Sequence, residues 1–142
     1  MARASDANKA LLARILTAYG EGDLAPMRAA LDPAVVYHTH GPTEFFRFGG
    51  RHEGLAATIA ALSAIASDYA VHRYQIRELI GEGEIVWLTA DVDATDRRRK
   101  MRLAITLASR WQFHSGRVVA VDEYFDSGEV ALKQGLAAVS GN

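Results

Sequence analysis

The chain has 142 residues, the length of one ordinary domain, since about 100–200 residues per domain is the norm and such a chain buries a real core. Its 16 Lys+Arg against 17 Asp+Glu leave a formal charge of −1, so no global field draws nucleic acid or an anionic membrane, and neither is expected as a partner. It has no cysteine, which excludes disulfides and thiolate chemistry.

Met1 to Asp6 lack the apolar stretch of a secretory signal, and no run approaches the roughly 18 apolar residues of a membrane span, so a cytoplasmic protein is expected. A single domain is expected over residues 1–142, with its core at about 6–127 and a last helix and tail at 127–142. Leu11, Leu12, Ile15, Leu16 and Tyr19 recur at helical spacing, with Ser5 or Asp6 as cap and Gly20 as stop. Asp23 caps a shorter helix carrying Leu24, Met27 and Leu31, in which Pro26 is tolerated in the first turn and after which Asp32-Pro33 ends the run. A short strand follows from Val35 to His40. Gly41 to Gly54 is rich in turn formers yet holds Phe45, Phe46 and Phe48, the pattern of an aromatic loop or lid. Leu55, Ile59, Leu62 and Ile65 define a third helix to about Ser67.

From there the period changes to two, and four long strands are predicted at about 69–80, 84–95, 100–113 and 118–126. Their length implies a strongly bent sheet. Turns fall at Gly81 to Glu84, at Asp96 to Arg99 and at His114-Ser115-Gly116, which makes the strands consecutive antiparallel hairpins. A last helix runs from a Ser127 cap to about Ala138. Helices massed first and strands later read as α+β, with helices on one face of an antiparallel sheet.

Alternation separates the two faces of that sheet. Met101, Leu103, Ile105, Leu107, Ser109, Trp111 and Phe113 form an inner face, joined by Val119, Val121, Glu123 and Phe125. Glu123 therefore falls near Leu107 and Ser109, among Trp111, Val121 and Phe125. A carboxylate on an apolar face must be paired, wet or protonated, and its pKa tends to rise, which suits a general acid or base. The bland alternative is a solvated or Arg-paired residue near the strand's end. The outer face carries Ala104, Thr106, Ala108 and Ala120 among Arg102, Arg110, Asp122 and Tyr124, with Trp87 nearby, and predicts a homodimer packed flat through that face.

His38 and His40, at i and i+2, share a strand face and begin a metal site if a carboxylate such as Glu123 joins them. Two ligands with no signature for a third favour one pocket and one rim histidine, and no metal or other cofactor is expected. His52, His72 and His114 read as bland, Arg97 to Lys100 as a solvated hairpin rather than a phosphate site, and Asp126 as a helix-start or turn residue.

Three segments carry a resemblance. They are Tyr19-Gly-Glu-Gly-Asp23 leading to Asp32-Pro-Ala-Val-Val-Tyr37, then Phe48-Gly-Gly-Arg-His-Glu-Gly54 before a helix, and Phe113-His-Ser-Gly-Arg-Val118 to Glu123-Tyr-Phe-Asp126. In order and spacing, from about Ala10 to Ser127, the chain resembles the SnoaL-like branch of the nuclear-transport-factor-two-like superfamily, which includes ketosteroid isomerase. The resemblance implies a cone-shaped cystatin-like roll around an apolar pocket, and a dimer through the sheet. It places His38 where the isomerase keeps its proton-transferring carboxylate, with Val36 and His40 sharing its inward direction, and Glu123 where the SnoaL-like cyclases keep an acid. The isomerase's oxyanion-stabilising tyrosine falls at Ile15, and its protonated aspartate near Leu107 to Ser109, where there is no acid. A steroid isomerase is therefore disfavoured.

Two functions stand side by side. One is a cofactor-independent isomerase, cyclase or hydratase/hydrolase acting on a small apolar carbonyl or cyclic compound, with Glu123 and His38 catalytic. In it Tyr19, His40, Phe45, Phe46, Phe48, Leu107, Ser109, Trp111, Val121 and Phe125 bind the ligand. The other is a non-catalytic ligand-binding or assembly module with the same cavity.

Overall fold

The first helix shows how the helices meet the sheet. In the computed structural model, which describes residues 2–135 (side chains from residue 4), α1 spans Ala2–Gly20 and turns Leu12, Ile15 and Leu16 fully inward. It lies along β3 (Tyr69–Glu82) in the opposite direction. A side chain at Gly81 would strike the Ser5 hydroxyl, and one at Gly20 would come within 3.1 Å of Tyr74 Cβ. Fifteen residues of helix and seven of strand cover the same distance, roughly 23 Å, so the two contacts set the register of helix on strand.

The remaining elements are α2 (Ala25–Ala30), β1 (Leu31–His40), β2 (Gly50–Glu53), α3 (Leu55–Asp68), β4 (Ile85–Asp96), β5 (Met101–His114), β6 (Arg117–Phe125) and α4 (Ser127–Lys133). Asp23 Oδ1 accepts from the Ala25 N–H at 3.0 Å and starts α2. Asp126 rather than Ser127 caps α4, accepting from the Glu129 N–H at 2.9 Å. The expected end of α4 near Ala138 lies outside the described residues.

All six strands form one sheet in the order β2-β1-β6-β5-β4-β3. The hairpins β3–β4, β4–β5 and β5–β6 are antiparallel as expected, but β1 lies parallel to β6, so the sheet is mixed. Within the segment expected to be loop, β2 pairs antiparallel with β1. The β5–β6 turn is tighter than expected, because His114 pairs with Arg117 and only Ser115 and Gly116, both at positive φ (51° and 77°), lie between. Two consecutive left-handed residues give the hairpin turn whose twist suits a twisted sheet.

Helices α1 and α3 lie within the curve of this sheet, which gives the cone-shaped α+β roll. Inner-face residues Val86, Leu88, Ala90, Leu107, Trp111 and Phe113 meet Leu12, Ile15, Leu16 and Leu62 in one continuous core. An irregularity between Gln112 and Phe113 skips Val119, so that Val118 joins Val121 in the core, contrary to strict alternation. A second apolar cluster of Phe46, Phe48, Leu103, Val130 and Ala131 ties the aromatic loop and β5 to α4. There Gln134 donates to Asp96 Oδ2 at 2.8 Å and to the Tyr69 hydroxyl at 3.1 Å. Burial alone would raise the Asp96 carboxyl, but bonds from the Arg99 backbone and guanidinium and from Gln134 hold it below its usual value. Among the described residues no helix is long and apolar enough to cross a membrane.

Candidate functional site

Between the sheet and the helices remains a cavity of about 100 Å³. Its walls come from α1 (Leu16, Tyr19), α3 (Leu62, Ile65), the inner face of the sheet, and Val130 of α4. That volume exceeds a single water's share several-fold, and its lining is almost entirely apolar. Among the described residues that line it, Glu123 alone is ionisable to a carboxylate or carries a formal charge.

Glu123 reaches the cavity because β6 alternates. Its Cα partner on β5 is Ser109, flanked by the Leu107–Phe125 and Trp111–Val121 pairs. Burial lifts its carboxyl from 4.5 to about 7, offset in part by a hydrogen bond from Tyr37. The Tyr37 hydroxyl donates to Glu123 Oε1 over a long 3.4 Å. Desolvation, and then the charge of Glu123, raise the Tyr19, Tyr37 and Tyr74 phenols above the ordinary value, so all three stay protonated donors. Tyr19 meets Tyr74 edge-on at 5.8 Å. A carboxyl that titrates near neutrality beside three phenols is equipped to take a proton from carbon and to stabilise negative charge left on oxygen.

Of the expected ligand-binding residues, Tyr19, Phe46, Phe48, Leu107, Trp111, Val121 and Phe125 line the cavity. Phe46 and Phe48 pack on Phe125 with ring centres 5.4 and 6.3 Å apart, so the aromatic loop forms part of the cavity wall. Phe45 is not in the lining; it packs at the edge of the second cluster. Ser109 is fully buried behind the wall, where it accepts from Trp111 Nε1 at 2.8 Å and holds that indole in place.

His38 and His40 correct the sequence reading. On β1 the residues that turn inward are Val35, Tyr37 and Thr39, while Val36, His38 and His40 turn outward. The physical reason is the start of the strand. Asp32 Oδ1 accepts from the Ala34 N–H at 2.9 Å, Pro33 has no N–H to give the ladder, and the pairing with β6 is irregular between Leu31 and Val36. One residue of slip moves every side chain to the other face. His38 therefore has no path to Glu123, and neither imidazole touches the cavity.

Instead, both meet Asp122 on the outer face. His40 Nε2 lies 3.0 Å and His38 Nδ1 3.8 Å from Asp122 Oδ1, and the two rings stack at 3.8 Å. Burial, and then His40, hold the His38 imidazole below its ordinary pKa. Tyr37 and Tyr74 are the two phenols near Glu123 that the sequence does not single out, and several apolar lining residues are likewise unforeseen. Both carried a signal, Tyr37 as the alternation partner of Val35 and Tyr74 as that of Ile76.

The sequence profile of the family described as SnoaL-like domain matches residues 12–121. Among curated proteins none matches the chain by sequence. Solved structures do match. An NTF2-like protein of unknown function from Burkholderia pseudomallei is 22% identical with a TM-score of 0.81, over 89% of this chain and 95% of that one. A candidate isomerase from Rhodopseudomonas palustris is 19% identical with a TM-score of 0.79, over 88% and 96%. TerC, co-crystallised with polyporic acid, is 18% identical with a TM-score of 0.77, over 90% and 96%. At these identities the likeness is one of fold.

Proposed function

The chain belongs to the SnoaL-like domain family, and from that premise we propose that it binds a small, mostly apolar carbonyl or cyclic compound and moves a proton on it without a cofactor. The observation that carries this reading is Glu123, a lone carboxyl raised to about 7 in an apolar cavity. In its ionised form it removes a proton from the carbon beside a carbonyl. The C–H electrons pass into a carbon–carbon double bond, and the carbonyl oxygen takes the charge within reach of a Tyr37, Tyr19 or Tyr74 phenol. Where a neighbouring double bond extends the enolate, return of the proton from Glu123 at the far carbon completes an isomerisation; where the enolate carbon attacks a second carbonyl, transfer of the same proton to the new alkoxide completes a cyclisation. His38 has no part in this scheme. The candidate isomerase and the polyporic acid complex among the structural neighbours support a ligand-holding cavity in this fold.

The test is exchange of the carbon-bound proton in deuterium oxide across a panel of small cyclic and open-chain ketones, followed by NMR. One class of ketone is expected to exchange. Glu123→Gln is expected to lose about 100-fold or more of that rate while still binding, in line with removal of a general base. Exchange at the wild-type rate in Glu123→Gln would refute the assignment. Binding with no exchange by any compound would leave the non-catalytic module as the function.

The outer sheet face supports the expected homodimer. Trp87 and Tyr124 stay 42% and 39% exposed there, stacked on each other, beside Ala104, Ala108 and Ala120. Small residues around two exposed rings make a surface flat enough for a second copy. Sedimentation equilibrium of the wild type and of Trp87→Glu tests it: a monomeric wild type excludes the dimer.

A further inference from the structure

The outer face holds a second cluster of chemistry that the cavity does not use. We propose that His38, His40 and Asp122 form a binding site for a divalent transition metal of the zinc class. His38 and His40 stand two apart on β1 and share its outward face, and Asp122 of β6 is the Cα partner of His38 in the parallel pair. One ligand atom from each of the three lies within 4.8 Å of the others. Zinc takes imidazole nitrogen and carboxylate oxygen at about 2.0–2.2 Å, so neighbouring ligands of a tetrahedral ion lie about 3.4 Å apart. The 3.0 and 3.8 Å separations from Asp122 Oδ1 bracket that value. The two rings stack at 26°, so binding requires the partly exposed imidazoles to rotate out of that stack until both nitrogen lone pairs point at the ion.

The neighbours leave these donors available. Arg110 is the Cα partner of Asp122 on β5, and there an ion pair would be expected; its guanidinium instead donates to Gln112 at 3.5 Å. Arg51, the Cα partner of His38 on β2, pairs with Glu53 at 3.0 Å. Among the described residues, the ion-pairing partners of Asp122 are the two imidazoles alone. Tyr124 stacks on His40 at 4.1 Å and limits its ring's swing. In the single chain the side chains are about 30% exposed (33%, 33% and 28%), which lets an ion in while keeping part of the set out of water. Two nitrogens and one carboxylate oxygen favour zinc, cobalt, nickel or copper over magnesium or calcium. Three protein ligands leave one position for water. The sequence reading weighed these histidines with Glu123 as third ligand and expected no metal; the strand's direction exchanges Glu123 for Asp122, on the same side and within reach.

The protein, stripped with a chelator, is titrated with zinc chloride by calorimetry and with cobalt chloride by visible absorption. One zinc per chain is expected, with a cobalt spectrum in the visible that added zinc abolishes. His40→Ala and Asp122→Asn are each expected to weaken zinc binding by about tenfold or more, and His72→Ala to leave it unchanged; circular dichroism checks that each variant is folded. No saturable uptake by the wild type overturns the site. So does a stoichiometric site that survives in the His38→Ala/His40→Ala double variant. The wild-type titration decides the first point whether or not the variants fold.

Discussion

Glu123→Gln separates ionisation from shape, because glutamine keeps the volume of the carboxyl and cannot ionise. In the wild type the folded chain holds the Glu123 proton up to about 7, whereas the ordinary value is 4.5. Between those two values the folded state binds more protons than the unfolded state, so stability falls as pH rises through that window. The neutral form's stability is fully present below about 4.5 and gone above about 7. At about 1.4 kcal/mol for each pH unit, the ionised carboxylate costs the fold about 3 kcal/mol at pH 8. The variant has no such loss. Urea unfolding followed by far-UV circular dichroism at pH 5, 6, 7 and 8 should therefore show the variant gaining on the wild type as pH rises, by up to about 3 kcal/mol. A gap between the two that stays the same at every pH would refute the account of Glu123 as a carboxyl desolvated by the cavity.

Three more outcomes follow from the geometry. Tyr37→Phe removes the hydrogen bond that favours the ionised Glu123, so the titration should move above about 7; ¹³C NMR of labelled glutamate reads it, and an unmoved or lowered midpoint contradicts the bond. Ser109→Ala strips the acceptor from a buried Trp111 N–H and should cost about 1–3 kcal/mol in urea unfolding, with Trp111→Phe in the same chain cancelling most of the penalty. Asp126→Ala should cost about 1 kcal/mol through loss of the α4 cap, and Asp126→Asn should restore most of it; equal losses in both would mean that the cap is not the cause.

The four long strands were legible because each is long enough for its alternation to show despite local irregularities such as the one at Val119. For that reason Glu123 could be placed on the inner face from spacing alone. β1 was not legible in the same way. Val35-Tyr37-Thr39 and Val36-His38-His40 are both plausible inner sets, and the choice is made by the turn at Asp32-Pro33-Ala34 and by parallel pairing with a strand more than eighty residues away. β2 is four residues without an apolar pattern and exists only because β1 offers it an edge. Tyr37 lies on the strand paired with that of Glu123, whereas Tyr74 lies on β3 at the far edge of the sheet, and only curvature brings it near Glu123.

Asp122 and Glu123 are successive residues, as are Tyr37 and His38, and in each pair one side chain serves the cavity and the other the outer surface. The sheet therefore acts as a partition one backbone thick, with two acids on a single strand that never share a solvent. Substitutions on one side can accumulate without retuning the other, so that pocket chemistry and surface partner are free to diverge at separate rates. The same arrangement carries a vulnerability: a one-residue slip of β6 against its neighbours would exchange the two acids between the faces.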